Sequence, residues 1–136
     1  MKKIGLIMIA LLSIAQAEFT RADTGIVTDS QTGLEWQDNT IPSVNYETNA
    51  INYCNELDLE GTGWRLPNIN ELKSLIVDTQ FAPSIDAVFE NTATNYVYWS
   101  SSSRKEDSSY KWYVNFSNGI ASYSSYNNNY NMRCVR

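Results

Sequence analysis

Apolar residues recur along this chain at two spacings. Tyr46, Ala50, Tyr53, Cys54 and Leu57 fall at i, i+4, i+7, i+8 and i+11, the repeat of one buried helical face. Gly61-Thr62-Gly63 follows and suits the left-handed residue needed after a helix C-terminus. Ile69, Leu72, Leu75 and Ile76 make a second helical stripe, with Asn68 as N-cap and Glu71 three residues later completing a box-like pattern. The Trp64-Arg65-Leu66-Pro67 step before it reads as extended, because the residue before a proline is pushed out of the helical region.

Elsewhere the repeat is two. Ile26 and Val27, the turn-forming Asp29-Ser30-Gln31-Thr32-Gly33 and the alternating Leu34-Glu35-Trp36 predict a hairpin within 24–38. Residues 39–45 read as loop around Pro42. Residues 78–94 read as mostly loop with Phe81, Ile85, Val88 and Phe89 turned inward. Tyr96 to Ser100 reads as a strand. Trp112, Val114 and Phe116 mark one face of a strand over 111–117, and Asn118-Gly119 is a strong hairpin turn into a returning strand over 120–126. Asn127-Asn128-Asn129 reads as loop, and Met132 to Val135 as a closing strand. Hairpin, helix, helix, then sheet is an α+β order, two helices packed on antiparallel sheets.

The first 17 residues differ from the rest. Lys2 and Lys3 precede an almost wholly apolar run from Ile4 to Ile14, and Ala15-Gln16-Ala17 supplies the small residues of a cleavage site. That is the layout of a secretory signal peptide, leaving one domain over 18–136. The alternative is an uncut anchor, but the run falls short of the ~20 residues that a hydrocarbon core requires. Loss of the two lysines takes the net charge from −5 to −7. An acidic chain is a poor partner for nucleic acid or anionic membrane surfaces.

The residue inventory narrows the chemistry. With no histidine, the commonest general base is missing, and Ser-His-Asp and Cys-His arrangements are impossible. Cys54 and Cys134 are the only cysteines. In an oxidising compartment an isolated pair reads as one disulfide; the alternative, a metal or redox pair, lacks both CxxC spacing and a histidine to complete a zinc site. Paired acids such as Asp58 with Glu60, or Glu106 with Asp107, fall in segments that read as exposed, whereas hydrolysis by two carboxylates needs them converging in a cleft. No cofactor or metal is expected.

Five segments, taken in order, resemble a known family. They are Asp29-Ser30-Gln31-Thr32-Gly33-Leu34-Glu35-Trp36-Gln37-Asp38, Trp64-Arg65-Leu66-Pro67-Asn68-Ile69-Asn70-Glu71-Leu72, Tyr98-Trp99-Ser100-Ser101-Ser102, Val114-Asn115-Phe116-Ser117-Asn118-Gly119 and Arg133-Cys134-Val135-Arg136. The chain from about residue 24 to 136 resembles the bacterial domain that also forms the C-terminal end of the Legionella collagen-like adhesin. That family is similar, distantly, to the C-type-lectin-like fold seen in formylglycine-generating enzymes. The resemblance implies a compact domain with its ends close together, variable loops on a C-terminal sheet, and a role at the cell surface in adhesion or polysaccharide contact. Two departures limit it. The Glu-Pro-Asn, Gln-Pro-Asp and Trp-Asn-Asp triplets of calcium-dependent lectins are absent, Leu66-Pro67-Asn68 lacking the acidic first member. The sulfated polysaccharides associated with that adhesin do not suit so acidic a chain.

Candidate contact residues lie in the C-terminal third. The stretch Tyr123-Ser124-Ser125-Tyr126-Asn127-Asn128-Asn129-Tyr130-Asn131, with Ser108, Ser109, Tyr110 and Tyr113, has the Tyr/Ser/Asn composition of antibody contact loops. It also reads as plain polar loop and edge strand. In some domains of the resembled fold such a segment is diversified by a reverse-transcriptase system that mutates adenines, a reading that the gene's codons test. Trp36, Trp64 and Trp112 read as core, and Trp99, directly before a serine run, as a contact candidate. Arg65 reads as placed against a carboxylate near the second helix. The expected contact face is Trp99, Tyr110, Tyr123, Tyr126, Asn127, Asn129 and Tyr130. The expected function is an exported, non-catalytic module binding a surface polysaccharide or glycoconjugate, with no stable membrane insertion after cleavage. The alternative is a protein-binding part of an envelope or pilus assembly.

Overall fold

A computed structural model describes residues 18–136; the signal peptide read at 1–17 lies outside the described residues. Strands β1 (Phe19–Arg21), β2 (Ile26–Asp29) and β3 (Glu35–Gln37) form a small antiparallel sheet in that order. The hairpin expected within 24–38 is β2–β3, pairing Val27 with Trp36. A larger sheet runs in the order β4 (Ser43–Asn45), β8 (Asn129–Asn131), β5 (Val97–Ser103), β6 (Tyr110–Asn115), β7 (Ile120–Ser125). It is antiparallel except between β5 and β8. Helices α1 (Glu47–Glu56) and α2 (Ile69–Lys73) complete an α+β domain.

The second helix starts where its sequence says it should. Asn68 Oδ1 accepts from the Glu71 amide at 2.8 Å, and a Glu71 carboxylate oxygen accepts from the Asn68 amide at 3.0 Å. That reciprocal box satisfies two of the orphan donors of the first turn. Both Glu71 oxygens also take the Arg65 guanidinium, each at 2.7 Å. This bidentate pairing holds the Glu71 carboxyl below the usual carboxylate range. Its support is present at neutral pH and fades as acidification protonates Glu71.

Two cores flank the large sheet. Leu72, Leu75, Ile85, Phe89, Tyr98, Val114 and Phe116 pack with Val27, Trp36 and Val135 on the α2 side. Ala50, Cys54, Trp64, Leu66, Trp99, Met132 and Cys134 pack on the α1 side. Cys54 and Cys134 form the expected disulfide, 80 residues apart in sequence. The C-terminal segment joins everything: Val135 bridges both Trp36 and Arg65, and the Gln37 amide donates to the Cys134 carbonyl at 2.9 Å. Arg136 lays its guanidinium over the Trp64 ring at 4.4 Å and reaches Glu35 at 3.3 Å.

A buried ion cluster closes the small sheet onto the loop after α2. Asp38, with no exposed surface, takes Arg133 and Arg21 on its carboxylate. It also accepts from the amides of Glu90 at 2.9 Å and Asn91 at 3.2 Å. The Arg133 guanidinium lies over Phe89 at 4.7 Å and donates to the Gln37 and Asn91 carbonyls, each at 2.9 Å. Every oxygen and most donors are matched, the condition for tolerating buried charge.

Several local expectations are corrected. β1 has no sequence signal beyond Phe19. Residues 43–45, which read as loop, pair as β4 with β8 at 129–131, where Asn129 reads as loop and Tyr130 and Asn131 fall in no expected element. Their mostly polar composition conceals the pairing, and a three-residue strand has too few positions for alternation to register. Val135 makes isolated bridges only, so the closing strand expected over 132–135 is not continuous. Tyr46 is not on the buried helical face. It sits at φ +69° before the first turn and is 44% exposed, while Glu47 is buried instead. Phe81 is 74% exposed rather than buried.

Candidate functional site

The C-terminal hairpin fixes the geometry of the site. β6 and β7 pair Tyr110 with Ser125, Trp112 with Tyr123 and Val114 with Ala121 on one face; Lys111 with Ser124, Tyr113 with Ser122 and Asn115 with Ile120 lie on the other. The turn depends on Gly119, at φ +73°, where an added Cβ would lie 2.9 Å from Ile76 Cγ2. A larger residue there is strained by the positive φ and must push the Ile76 side chain aside.

The two helices cover different faces of the large sheet, and α2 is the one that packs on β6. α2 is only five residues long and shields the Val114 half. Trp112 falls at its rim, half-buried, and Tyr123 and Tyr110 extend beyond it, 38% and 37% exposed. The three rings meet edge to face. Trp112 and Tyr123 centroids are 5.3 Å apart, and Tyr123 and Tyr110 6.1 Å. The Arg104 guanidinium covers Tyr123 at 4.2 Å. Between this strip and α2 lies a groove of about 140 Å³ lined by Ile69, Asn70, Lys73, Trp112 and Ala121.

On the opposite face the aromatic residues are packing. Trp99 has no exposed surface and lies 4.5 Å from the half-buried Tyr130, which in turn meets Tyr113 at 5.3 Å. Trp99 is therefore not a contact residue. β5 is the middle strand of the large sheet, and with a core on each side both Tyr98 and Trp99 are buried. The serine run after it is structural too. Ser100 Oγ donates to the Trp112 carbonyl at 2.7 Å, Ser102 Oγ accepts the Ile69 amide at 3.0 Å, and Ser103 Oγ accepts from Lys111 Nζ at 2.7 Å. These bonds pin α2 and β6 to the irregular end of β5.

The remaining expected residues sit around the far end of the sheet, over the start of α1. The Tyr126 carbonyl accepts the Glu47 amide at 2.9 Å, its ring lies 5.8 Å from Tyr46, and it is 41% exposed. Asn127 and Asn129 are exposed. The seven residues expected to make one face thus divide three ways. Tyr110 and Tyr123 lie on the α2 side, Tyr126 with Asn127 and Asn129 at the end, and Trp99 with Tyr130 on the α1 side. The structure adds Trp112, Asn70, Lys73 and Arg104 to the first group. Trp112 shares parity with Tyr110, which alternation shows. That it escapes full burial follows from the shortness of α2, which the apolar stripe reaching Leu75 and Ile76 hides.

One buried acid lies beneath the end loop. Glu47 is 1% exposed, its Oε1 accepts no hydrogen bond, and its Oε2 is 3.8 Å from Lys111 Nζ. Burial raises the Glu47 carboxyl above the usual carboxylate range, and Lys111 only partly opposes this. A group raised on folding stabilises most fully below its unfolded value and loses that contribution as pH rises through its folded value. Replacing Glu47 with Gln should therefore raise the melting temperature at pH 7 and leave it nearly unchanged at pH 4. Melts across that range check this; a variant weaker than the parent at pH 7 would contradict it.

Among the described residues no group of three or more His, Cys, Asp or Glu side chains converges as a metal site, and no helix is long and apolar enough to cross a membrane. Residues 25–136 match the Lcl C-terminal domain. The chain belongs to the Lcl C-terminal domain family. This is the family named above from the Trp64-Arg65-Leu66-Pro67 and Arg133-Cys134-Val135-Arg136 segments. No curated protein matches the chain. In this Lcl C-terminal domain the motif residues are mostly buried or bonded into the frame, as Trp36, Trp64, Arg133 and Cys134 show. The strip is built from residues between those motifs, whereas the groove takes Ile69 and Asn70 from within the 64–72 segment.

Proposed function

We propose that this Lcl C-terminal domain is an exported, non-catalytic adhesion module. It binds a surface polysaccharide or glycoconjugate through the aromatic strip on the α2 side of its large sheet. The observation that carries this reading is the row Trp112, Tyr123 and Tyr110, held rigid by cross-strand pairing and open beside a groove with one amide and one ammonium. Ligand sites combine apolar surface with a few placed polar groups, and a pyranose ring offers the matching pattern of C–H faces and hydroxyl edges. Tyr and Trp lose little conformational entropy on contact. The buried disulfide supports an oxidising compartment, and the lack of histidine supports binding without catalysis.

A glycan array tests the reading. Trp112→Ala and Tyr123→Ala should each weaken a bound glycan by tenfold or more, and Tyr126→Ala should change it little. A glycan held equally well by Trp112→Ala would place contact elsewhere. A second reading, a protein-binding part of an envelope or pilus assembly, draws on β7. That edge strand, Ile120–Ser125, has six residues, no charge and no proline, and such an edge is open to strand addition. The Tyr126 amide pairs inward with the Ser109 carbonyl, so the Ser125 amide faces outward. Ser125→Pro should abolish capture of an envelope protein if this reading holds, and leave glycan binding intact if it does not.

A further inference from the structure

The groove beside Trp112 has a chemistry of its own. Ile69, Trp112 and Ala121 make an apolar niche, and at about 140 Å³ the space accepts a substituent and ring edge rather than a whole oligosaccharide. Asn70 and Lys73, both exposed, border it from α2. The Asn70 side-chain amide, able to donate and accept, forms no hydrogen bond among the described residues. Lys73 has no ion pair among them either. Its sequence neighbour Glu71 has both oxygens committed to Arg65. At the far end of the strip the cation is already matched, since Arg104 contacts Glu106 at 3.3 Å and covers Tyr123.

We propose that this groove is a specificity pocket for one sugar residue that carries both an acetamido group and a carboxylate. The proposal rests on the glycan-binding reading and narrows it. The acetamido methyl fills the niche between Ile69, Trp112 and Ala121, and its amide pairs with the Asn70 amide. The carboxylate meets the Lys73 ammonium, and the ring extends over Trp112 toward Tyr123. Charge favours a ligand with one carboxylate over a repeating polyanion. The strip offers one unmatched cation, Glu106 and Asp107 lie at its far end, and the whole chain is acidic at −5. A sugar lacking the acetamido group leaves the niche unfilled and the Asn70 amide without its partner. A neutral sugar leaves Lys73 without its counter-charge.

Two sources supply this chemistry, sialylated glycans and the muramic residues of peptidoglycan, and titration followed by NMR or calorimetry separates them. The probes are a sialyl-lactose, a GlcNAc–MurNAc disaccharide, chitobiose (acetamido without carboxylate) and a methyl glucuronide (carboxylate without acetamido). At least one of the first two should bind tenfold or more tightly than both controls, and which of them does so names the source. Lys73→Ala should erase the preference over chitobiose, and Asn70→Ala the preference over the glucuronide. Both residues are exposed, and circular dichroism confirms that the variants fold. Chitobiose or glucuronide binding as tightly as the acidic acetamido sugars, or preferences unchanged in these variants, would overturn the inference. If a different sugar binds and requires Trp112, the inference falls and the adhesion reading stands; if no glycan binds at all, both fall.

Discussion

Replacing Cys54 and Cys134 together with Ala should lower the stability of the domain by about 4–5 kcal/mol, the loop-closure contribution of a bridge spanning 80 residues. The bond ties α1 to the C-terminal segment, which itself bridges Trp36 and Arg65. Without it, the unfolded chain regains the freedom that the long closed loop removes. A small domain has only about 5–15 kcal/mol in total, so the loss is a large share of the whole. Both sulfurs are fully buried, and the truncation also removes packing between Ala50, Trp99 and Met132. Urea unfolding of the oxidised protein and the double variant measures the effect. Coincident midpoints would show that the bridge contributes nothing to the frame.

Asp38→Ala should cost about 3–5 kcal/mol, the penalty of leaving a buried partner charge uncompensated. Arg133 is 2% exposed and cannot turn to water, and two backbone amides of the 90–91 segment lose their acceptor at the same time. Arg21→Ala should cost far less, because Arg21 reaches solvent and Asp38 keeps Arg133. Asp38→Asn should fall between, retaining shape and one acceptor oxygen while losing the charge. Denaturant melts of the three variants give the order. An Asp38→Ala domain within about 1 kcal/mol of the parent would show that its buried hydrogen bonds carry little net weight.

The long periodic elements were legible because burial alone decides them. The α1 stripe through Ala50 and Cys54, the Asn68–Glu71 box and the Asn118-Gly119 turn each follow from local chemistry that the fold leaves intact. Tyr46 broke the pattern at the helix start because its positive φ lies outside the helix, which periodicity cannot show. β4 and β8 were hidden because each is three residues long with a single apolar position, Val44 and Tyr130, flanked by polar ones. The exposed aromatic strip was half legible. Tyr110 and Tyr123 project as the composition suggests, whereas Trp99 and Tyr130 belong to the α1 face. Which face an aromatic residue occupies depends on strand order, and β5 lies central only because the sheet runs β4-β8-β5-β6-β7. The Asp38 cluster was equally invisible, since Arg21, Asp38 and Arg133 meet only through tertiary folding.

The claim that the strip at the α2 rim makes the contact is tested most directly by the four tryptophan indole N–H resonances. Trp36, Trp64 and Trp99 are buried, at 0%, 2% and 0% exposed, and Trp112 alone borders the groove. During titration with a bound glycan, the Trp112 indole signal should shift progressively with the Tyr123 and Asn70 amides, while the other three indoles stay fixed. A ligand that saturates while Trp112 stays still, and moves only Tyr126, Asn127 and Asn129, would contradict the account.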